Sequence, residues 1–449
     1  MKDTTTTIGF VPLARTTFDI ELATQVTETA REAMENAGFT LIGPDGLVTS
    51  VEAAREAAQA LQTAPPDLLL VFQATFADST MVMALAEAVD APLLMWAVPE
   101  SRSGGRLRLN SLCGINLGAH ALKRQGLRYE YVYAAPDNPR ALHKVAPLAE
   151  AGRVRRLLRQ ARIGRVGENP DGFDSCKLDT GALKDQFGLE IVQLQLPEIF
   201  SGVKTAPDVE INAVLENLKT QLADLDELDQ PALRRTLGTY LTLRRYAGQE
   251  NLHGLAVRCW PEFFTELGCA ACGAMSMLSN EQIPCSCEAD INGTITQLML
   301  QWLSGEPAFG TDMVSFEIEN DLAVIWHCGL APLAMADPEF KARGTIHSNR
   351  QLPLLMEFPL KPGRVTIARL SEAPGTGHYQ LVVGSGEMVR APMSFSGTSG
   401  VLRFDSGAQA ALDTIMEEGL EHHISLTYGD HVPALLALAE MLDLPVVRL

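Results

Sequence analysis

Asp67-Leu68-Leu69-Leu70-Val71-Phe72 is an unbroken apolar run entered from a single carboxylate. A strand with one wet face alternates polar and apolar residues. A run without alternation is buried on both faces, the habit of a parallel sheet covered by helices. The flanking segments fit that setting. Upstream, Thr7–Leu13 is a short apolar run with Pro12 near its end, a helical stretch follows from about Ile20 to Gly38, and Ser50 caps an alanine-rich helix over Val51–Leu61. Downstream, Ser79 opens a helix through Val89, Pro92–Val98 is the next buried strand, and Tyr129–Tyr133 adds another. This alternation predicts a doubly wound α/β domain over residues 1–160.

The alternation restarts at Arg162–Val166. Leu189–Leu194 and Leu255–Cys259 read as strands, Val209–Leu225 and Pro231–Tyr246 as helices, giving a second, tandem α/β domain over 161–303. From Val314 the pattern changes to short strands: Leu322–His327, Leu352–Phe358, Val365–Leu370, Tyr379–Val383 and Val401–Phe404. The intervening Pro362-Gly363, Pro374-Gly375, Gly384 to Gly386 and Gly397 to Gly400 suit hairpins. A helix from Ala408, a strand Ile424–Tyr428 and a helix around Pro433–Leu442 close a β-rich C-terminal domain over 304–449.

At 449 residues the chain is too long for one ordinary core, and its 46% hydrophobic and 20% charged residues describe ordered globular domains. Lys and Arg number 36 against 55 Asp and Glu, a net charge of −19. That sign excludes nucleic acid and anionic membrane as partners, since both require a cationic surface. No stretch approaches the ~20 apolar residues of a membrane span, and Met1-Lys2-Asp3 with its following threonines lacks a signal-peptide core. Eight cysteines without framework spacing predict a reduced, cytoplasmic location.

The chemistry concentrates in Cys287-Glu288-Ala289-Asp290-Ile291-Asn292-Gly293, at the start of a helix running to Leu303. Acidic residues in a first turn are often only caps, meeting the positive end of the macrodipole. The surroundings favour more than capping. Asp312 follows a Gly310-Thr311 turn, His327 ends an apolar strand, and His422-His423 precede another. Element ends are where clefts lie. Carboxylates with imidazole form a mixed oxygen and nitrogen donor set, suited to Mn²⁺ or Mg²⁺. Such a site polarises adjacent substrate oxygens while a carboxylate moves a proton between neighbouring carbons, as aldose–ketose isomerisation requires.

Cys259-Trp260-Pro261-Glu262, Cys287 through Gly293, Ser304-Gly305-Glu306-Pro307, Thr311-Asp312, His327-Cys328-Gly329 and His422 through His431 together resemble the L-fucose isomerase-like family of sugar ketol-isomerases, as does Phe10-Val11-Pro12-Leu13-Ala14-Arg15. The match is densest over 255–332 and 419–449. The resemblance implies two α/β domains followed by a β-rich one. It also implies a metal held by Glu288, Asp312 and His423, with the two carboxylates as acid and base. Arg15, Trp260, Glu262 and His327 become substrate contacts, and His327 is also a weaker metal candidate. It further implies a closed homo-oligomer, a trimer or hexamer, with Arg15 near a neighbour's site, and a sugar or sugar derivative as substrate.

Two rivals remain at this level. Decarboxylation, epimerisation or lysis of a sugar acid through the same enediolate would be favoured by a cation placed for a carboxylate or sulfonate, such as Arg343 or Arg350. A non-catalytic sugar-binding protein would show a lost metal ligand. Cys269-x-x-Cys272 and Cys285-x-Cys287 lack a zinc-knuckle turn and read as buried thiols. Gly375-x-Gly377 and Gly384-x-Gly386 flank a strand, so they are hairpin glycines rather than a nucleotide loop.

Overall fold

A computed structural model describes residues 5–373 and 376–449, so the Pro374-Gly375 turn lies outside the described residues. The chain packs as two compact units, Met1–Arg156 and Leu157–Leu449. The first holds a five-stranded parallel sheet in the order Thr40–Ile42, Thr7–Leu13, Leu68–Gln73, Leu93–Ala97, Glu130–Tyr133. Leu68–Gln73 is central and buried along its whole length, as its unbroken apolar run requires. Helix Val51–Thr63 buries Ala54, Ala57, Ala58 and Leu61, a one-face spacing, into the same core as Leu69 and Val71.

The second unit combines a parallel sheet with a barrel. Its four-stranded sheet runs Glu190–Leu194, Arg162–Val166, Gly254–Val257, Cys285–Ser286. The barrel is an antiparallel ring of Thr398–Phe404, Leu322–His327, Phe309–Glu317, His423–Tyr428, Gly363–Glu372 and Tyr379–Val389, the last pairing back onto the first. Closure leaves the ring without free edges. Leu255 and Val257 of the sheet share one core with Ile325, Ile367 and Leu426 of the barrel. Helix Ile291–Ser304 is buried almost all round, as a helix packed on both sides must be.

The two parallel sheets and the barrel match the predicted fold class. Local differences have local causes. The apolar stretch Phe264–Leu278, which reads as helical from its sequence, is not one helix: a π-helical turn Phe263–Leu267 ends at left-handed Gly268, and Cys272–Asn280 starts afresh. The β-rich pattern expected from Val314 onward begins earlier: Gly310-Thr311, expected as a turn, lies inside a strand Phe309–Glu317, where Thr311 and Asp312 pair across the ladder with Ile424 and His423, pairings that a hydropathy pattern does not register. No helix among the described residues is long and apolar enough to cross a membrane.

Candidate active site and metal centre

The parallel strands of the second unit end on one side, where open α/β sheets bind ligands. Phe173 and Cys176 follow Arg162–Val166, Trp260 follows Gly254–Val257, and Glu288 follows Cys285–Ser286. The barrel supplies the opposing groups. Asp312 and His423 are direct partners across an antiparallel ladder, so their side chains share a face. On the other flank Leu322–His327 ends in His327, and a register shift between Met313 and Ser315 follows Asp312. Such irregularities re-aim side chains beside active sites.

His423 gathers these groups. Its Nε2 lies 2.9 Å from Glu288 Oε2 and 3.6 Å from Asp312 Oδ1. Neither approach is a hydrogen bond, and both carboxylate oxygens are buried without a hydrogen-bond partner. Two orphaned anionic oxygens facing an imidazole nitrogen form a costly arrangement that a divalent cation would satisfy, so the residues fit one. Ligand atoms of Asp312, His327 and His423 lie within 4.8 Å of one another, as do those of Glu288, His422 and His423, and those of Cys176, Asp290 and His423. His423 is buried whereas His422 is exposed.

Asp290 positions His423. The His423 Nδ1–H donates to Asp290 Oδ2 at 3.0 Å, so the neutral ring, as a cation ligand must be, turns its Nε2 lone pair toward Glu288 and Asp312. Asp290 also caps the helix Ile291–Ser304, its Oδ1 accepting from the Gly293 amide at 2.9 Å. A Cβ at position 293 would meet Asp290 Oδ2 at 2.6 Å, so glycine is required there. Fully buried Arg369 completes the cluster, with Nη1 on Asp290 Oδ2 at 2.5 Å and Nη2 donating to the Ser175 carbonyl at 3.0 Å. The capping reading therefore holds for Asp290 and fails for Glu288.

Glu288 sits in a left-handed backbone conformation at φ 56°, and so does Ala289 at φ 57°. Each costs about 1–2 kcal/mol in a non-glycine residue. Strain of this kind persists where the surroundings over-determine it. Here the Trp260 Nε1–H donates to Glu288 Oε1 at 3.1 Å and fixes the carboxylate. Burial resists ionisation of Glu288, but His423 and Trp260 outweigh it and hold its pKa below the usual value. Burial likewise opposes charge on His423, yet Asp290, Cys176 and Glu288 raise its pKa well above normal. His327, also working against burial, is raised to about 9 by Cys328, Asp312 and Glu288. The Cys328 amide donates to His327 Nδ1 at 2.8 Å, so a neutral His327 carries its proton on Nε2 and offers a donor.

Other predicted positions are spread more widely. Trp260 stacks edge-on against Phe173 at 5.3 Å, which in turn meets His422 at 6.4 Å. Glu262 pairs with Arg258 at 2.8 Å, and Arg258 holds its pKa low. Arg15, in the first unit, is ion-paired with Asp78. Arg343 is engaged by Glu357 at 2.5 Å. Cys269, Cys272, Cys285 and Cys287 are buried free thiols. Arg369, Cys176 and Phe173 escaped sequence reading, and Asp290 was read only as a possible helix cap. Only Asp290 had a signal, the Asp-x-x-Gly spacing, and that spacing reports the cap rather than the histidine contact.

Residues 9–158 match the N-terminal domain model described as fucose/sulfoquinovose isomerase, and residues 327–449 match the C-terminal domain of L-fucose isomerase. A sulfoquinovose isomerase of Priestia aryabhattai is 33% identical over 442 residues, covering 98% of each chain. One from Alkalicoccus urumqiensis is 32% identical over 444 residues and 99% of each chain, and one from a Clostridium strain is 28% identical over 442 residues, covering 97% of this chain and 98% of its own. A solved solute-binding protein of Actinobacillus succinogenes with bound D-allose covers 67% of this chain and 92% of its own at 13% identity, and its TM-score of 0.19 carries no weight. The chain belongs to the fucose/sulfoquinovose isomerase family. It is accordingly a sugar isomerase, an intramolecular oxidoreductase interconverting an aldose and a ketose.

Proposed function

We propose that the protein isomerises sulfoquinovose, an aldohexose with a sulfonate at C6, to the corresponding 2-ketose, using a divalent cation of the Mn²⁺ or Mg²⁺ class. The convergence of Glu288, Asp312 and His423, with two buried carboxylate oxygens lacking partners, carries the metal-assisted reading. Full-length similarity to sulfoquinovose isomerases supports the substrate. The cation, when bound by these three residues, supplies the positive charge that polarises adjacent carbonyl and hydroxyl oxygens. Glu288 and Asp312 face the two reacting carbons, one taking the proton beside the carbonyl and the other relaying a proton between the oxygens. Trp260 and Asp290 hold Glu288 and His423 in place, and His327 donates to a substrate oxygen. Arg15 and Glu262 remain substrate contacts in this proposal.

The direct test is incubation of cation-loaded protein with sulfoquinovose in D₂O. Deuterium beside the carbonyl in a ketose of unaltered carbon count is expected, whereas released CO₂ or a cleaved product would replace the proposal with a decarboxylase or lyase. A second expectation concerns the cation itself. Chelator-treated protein should gain about 2.7 kcal/mol of stability when Mn²⁺ reaches a hundredfold excess over its Kd, read as a rise in Tm. Glu288→Gln, Asp312→Asn and His423→Ala should each shrink that rise, and equal rises in all three would move the site elsewhere. A closed trimer or hexamer is part of the same proposal; a monomeric mass by light scattering with full activity would remove it.

A further inference from the structure

We propose that Arg350, lying against the ring faces of Trp260 and Phe264, is the subsite that receives the substrate's sulfonate. The inference rests on the sulfoquinovose reading above and names the residue that would make it specific. Three other arginines of this unit are occupied. Arg369 is buried against Asp290 and Glu421, Arg258 is paired with Glu262, and Arg343 is paired with Glu357. Arg350 has no ion-pair partner among the described residues. Its Cζ lies 5.0 Å from the ring centroids of both Trp260 and Phe264, and its Nη1 is 3.2 Å from His347 Nε2. His347 is itself buried and packs edge-on to Phe264 at 5.3 Å. The guanidinium is thus pre-positioned by two ring faces; the Asn349 amide donates to His347 Nδ1 at 3.3 Å, so a neutral His347 presents an N–H at Nε2 and leaves the guanidinium's own N–H groups to bind something else.

Placement adds to this. The indole that carries Arg350 on its face is the one whose Nε1–H donates to Glu288 Oε1. One indole therefore separates the cation from the proposed proton-transfer carboxylate. In an aldohexose the reacting C1 and C2 and the C6 substituent lie at opposite ends of the carbon chain, so C6 is the group that would reach such a position. A sulfonate is a weakly hydrated anion with several equivalent acceptor oxygens, suited to the planar donor fork of a stacked guanidinium. The chain's net charge of −19 repels an anionic sugar, so a local unpaired cation is what admits it. A 6-hydroxyl or 6-methyl sugar would gain nothing comparable.

The test compares kcat/KM for sulfoquinovose and for its uncharged counterpart 6-deoxyglucose in wild type, Arg350→Gln and Arg350→Lys, all cation-loaded. Arg350→Gln should reduce the preference for the sulfonated sugar by about 10²-fold or more, mainly through KM, with Arg350→Lys recovering part of it. Ethanesulfonate should inhibit the wild type competitively and inhibit Arg350→Gln far less. Wild-type turnover of sulfoquinovose with an unaltered preference in Arg350→Gln would overturn this inference alone. A wild type inert toward sulfoquinovose would overturn the substrate proposal, and the subsite with it. Equal losses on both sugars would assign Arg350 to the architecture of the site and not to sulfonate recognition.

Discussion

Glu288→Gln and Asp312→Asn, each assayed at saturating divalent cation, should lower kcat by ~10²-fold or more, the scale of general acid–base catalysis. Both substitutions keep size and remove the proton function. Saturation matters because the same residues are proposed ligands, and a loss that vanishes with added cation reports affinity alone. The structure also gives the two variants different side effects. Glu288 Oε1 accepts from Trp260, and a glutamine can keep that bond through its own carbonyl oxygen. Asp312 is half-buried on a barrel strand opposite His423, and its Oδ1 has no protein hydrogen bond to lose. Neither change should lower Tm much without the cation. Solvent deuterium exchange into substrate separates the roles: the base variant should abolish exchange, and the relay variant should retain some exchange while losing net isomerisation. Exchange at wild-type rate in both variants would place the base on another residue.

Sequence captured what is local and repetitive. The apolar run at Asp67–Phe72, the strand Leu322–His327 and the restart at Arg162–Val166 all follow from hydropathy periods, and the structure places elements there within a residue or two. Hydropathy placed His423 at the start of a strand, as found, but set Asp312 behind a turn, whereas it lies inside the strand Phe309–Glu317. It could not show that the two are register partners, because the strands carrying them are separated by most of the barrel in sequence. Glu288 was legible as a chemical group and misread as a helical one: the chain turns left-handed at Glu288 and Ala289, and the helix starts only at Ile291. Non-glycine residues with positive φ leave little trace in composition. The Asp290–Arg369 pair was invisible for the same reason as most buried ion pairs. Neither partner has a neighbour in sequence that announces it, and Arg369 sits in a strand that reads as apolar.

That pair yields the largest expected effect on stability. Arg369 is 1% exposed and Asp290 2% exposed at the side chain, so solvent does not screen them. Removing one partner of such a pair strands the other charge, at a cost of about 3–5 kcal/mol. Arg369→Met should therefore lose that much stability, seen as a lower Tm and denaturant midpoint. It should also weaken cation binding roughly 10–100-fold, because Asp290 would no longer be fixed as the partner of His423. The pH dependence identifies the cause. Burial pushes the Asp290 pKa up, but Arg369 and His423 outweigh it and hold it far below the usual carboxylate range. In the wild type this contribution is complete above the unfolded carboxylate pKa and is lost as pH falls through the depressed folded value. Without Arg369, burial meets less opposition and the folded pKa rises. Protonation then relieves the stranded charge, so the gap in stability between Arg369→Met and wild type should narrow as the medium is acidified from neutral toward the carboxylate range. A merely steric defect would leave the gap constant with pH, and a constant gap would show that the arginine acts by packing and not by charge.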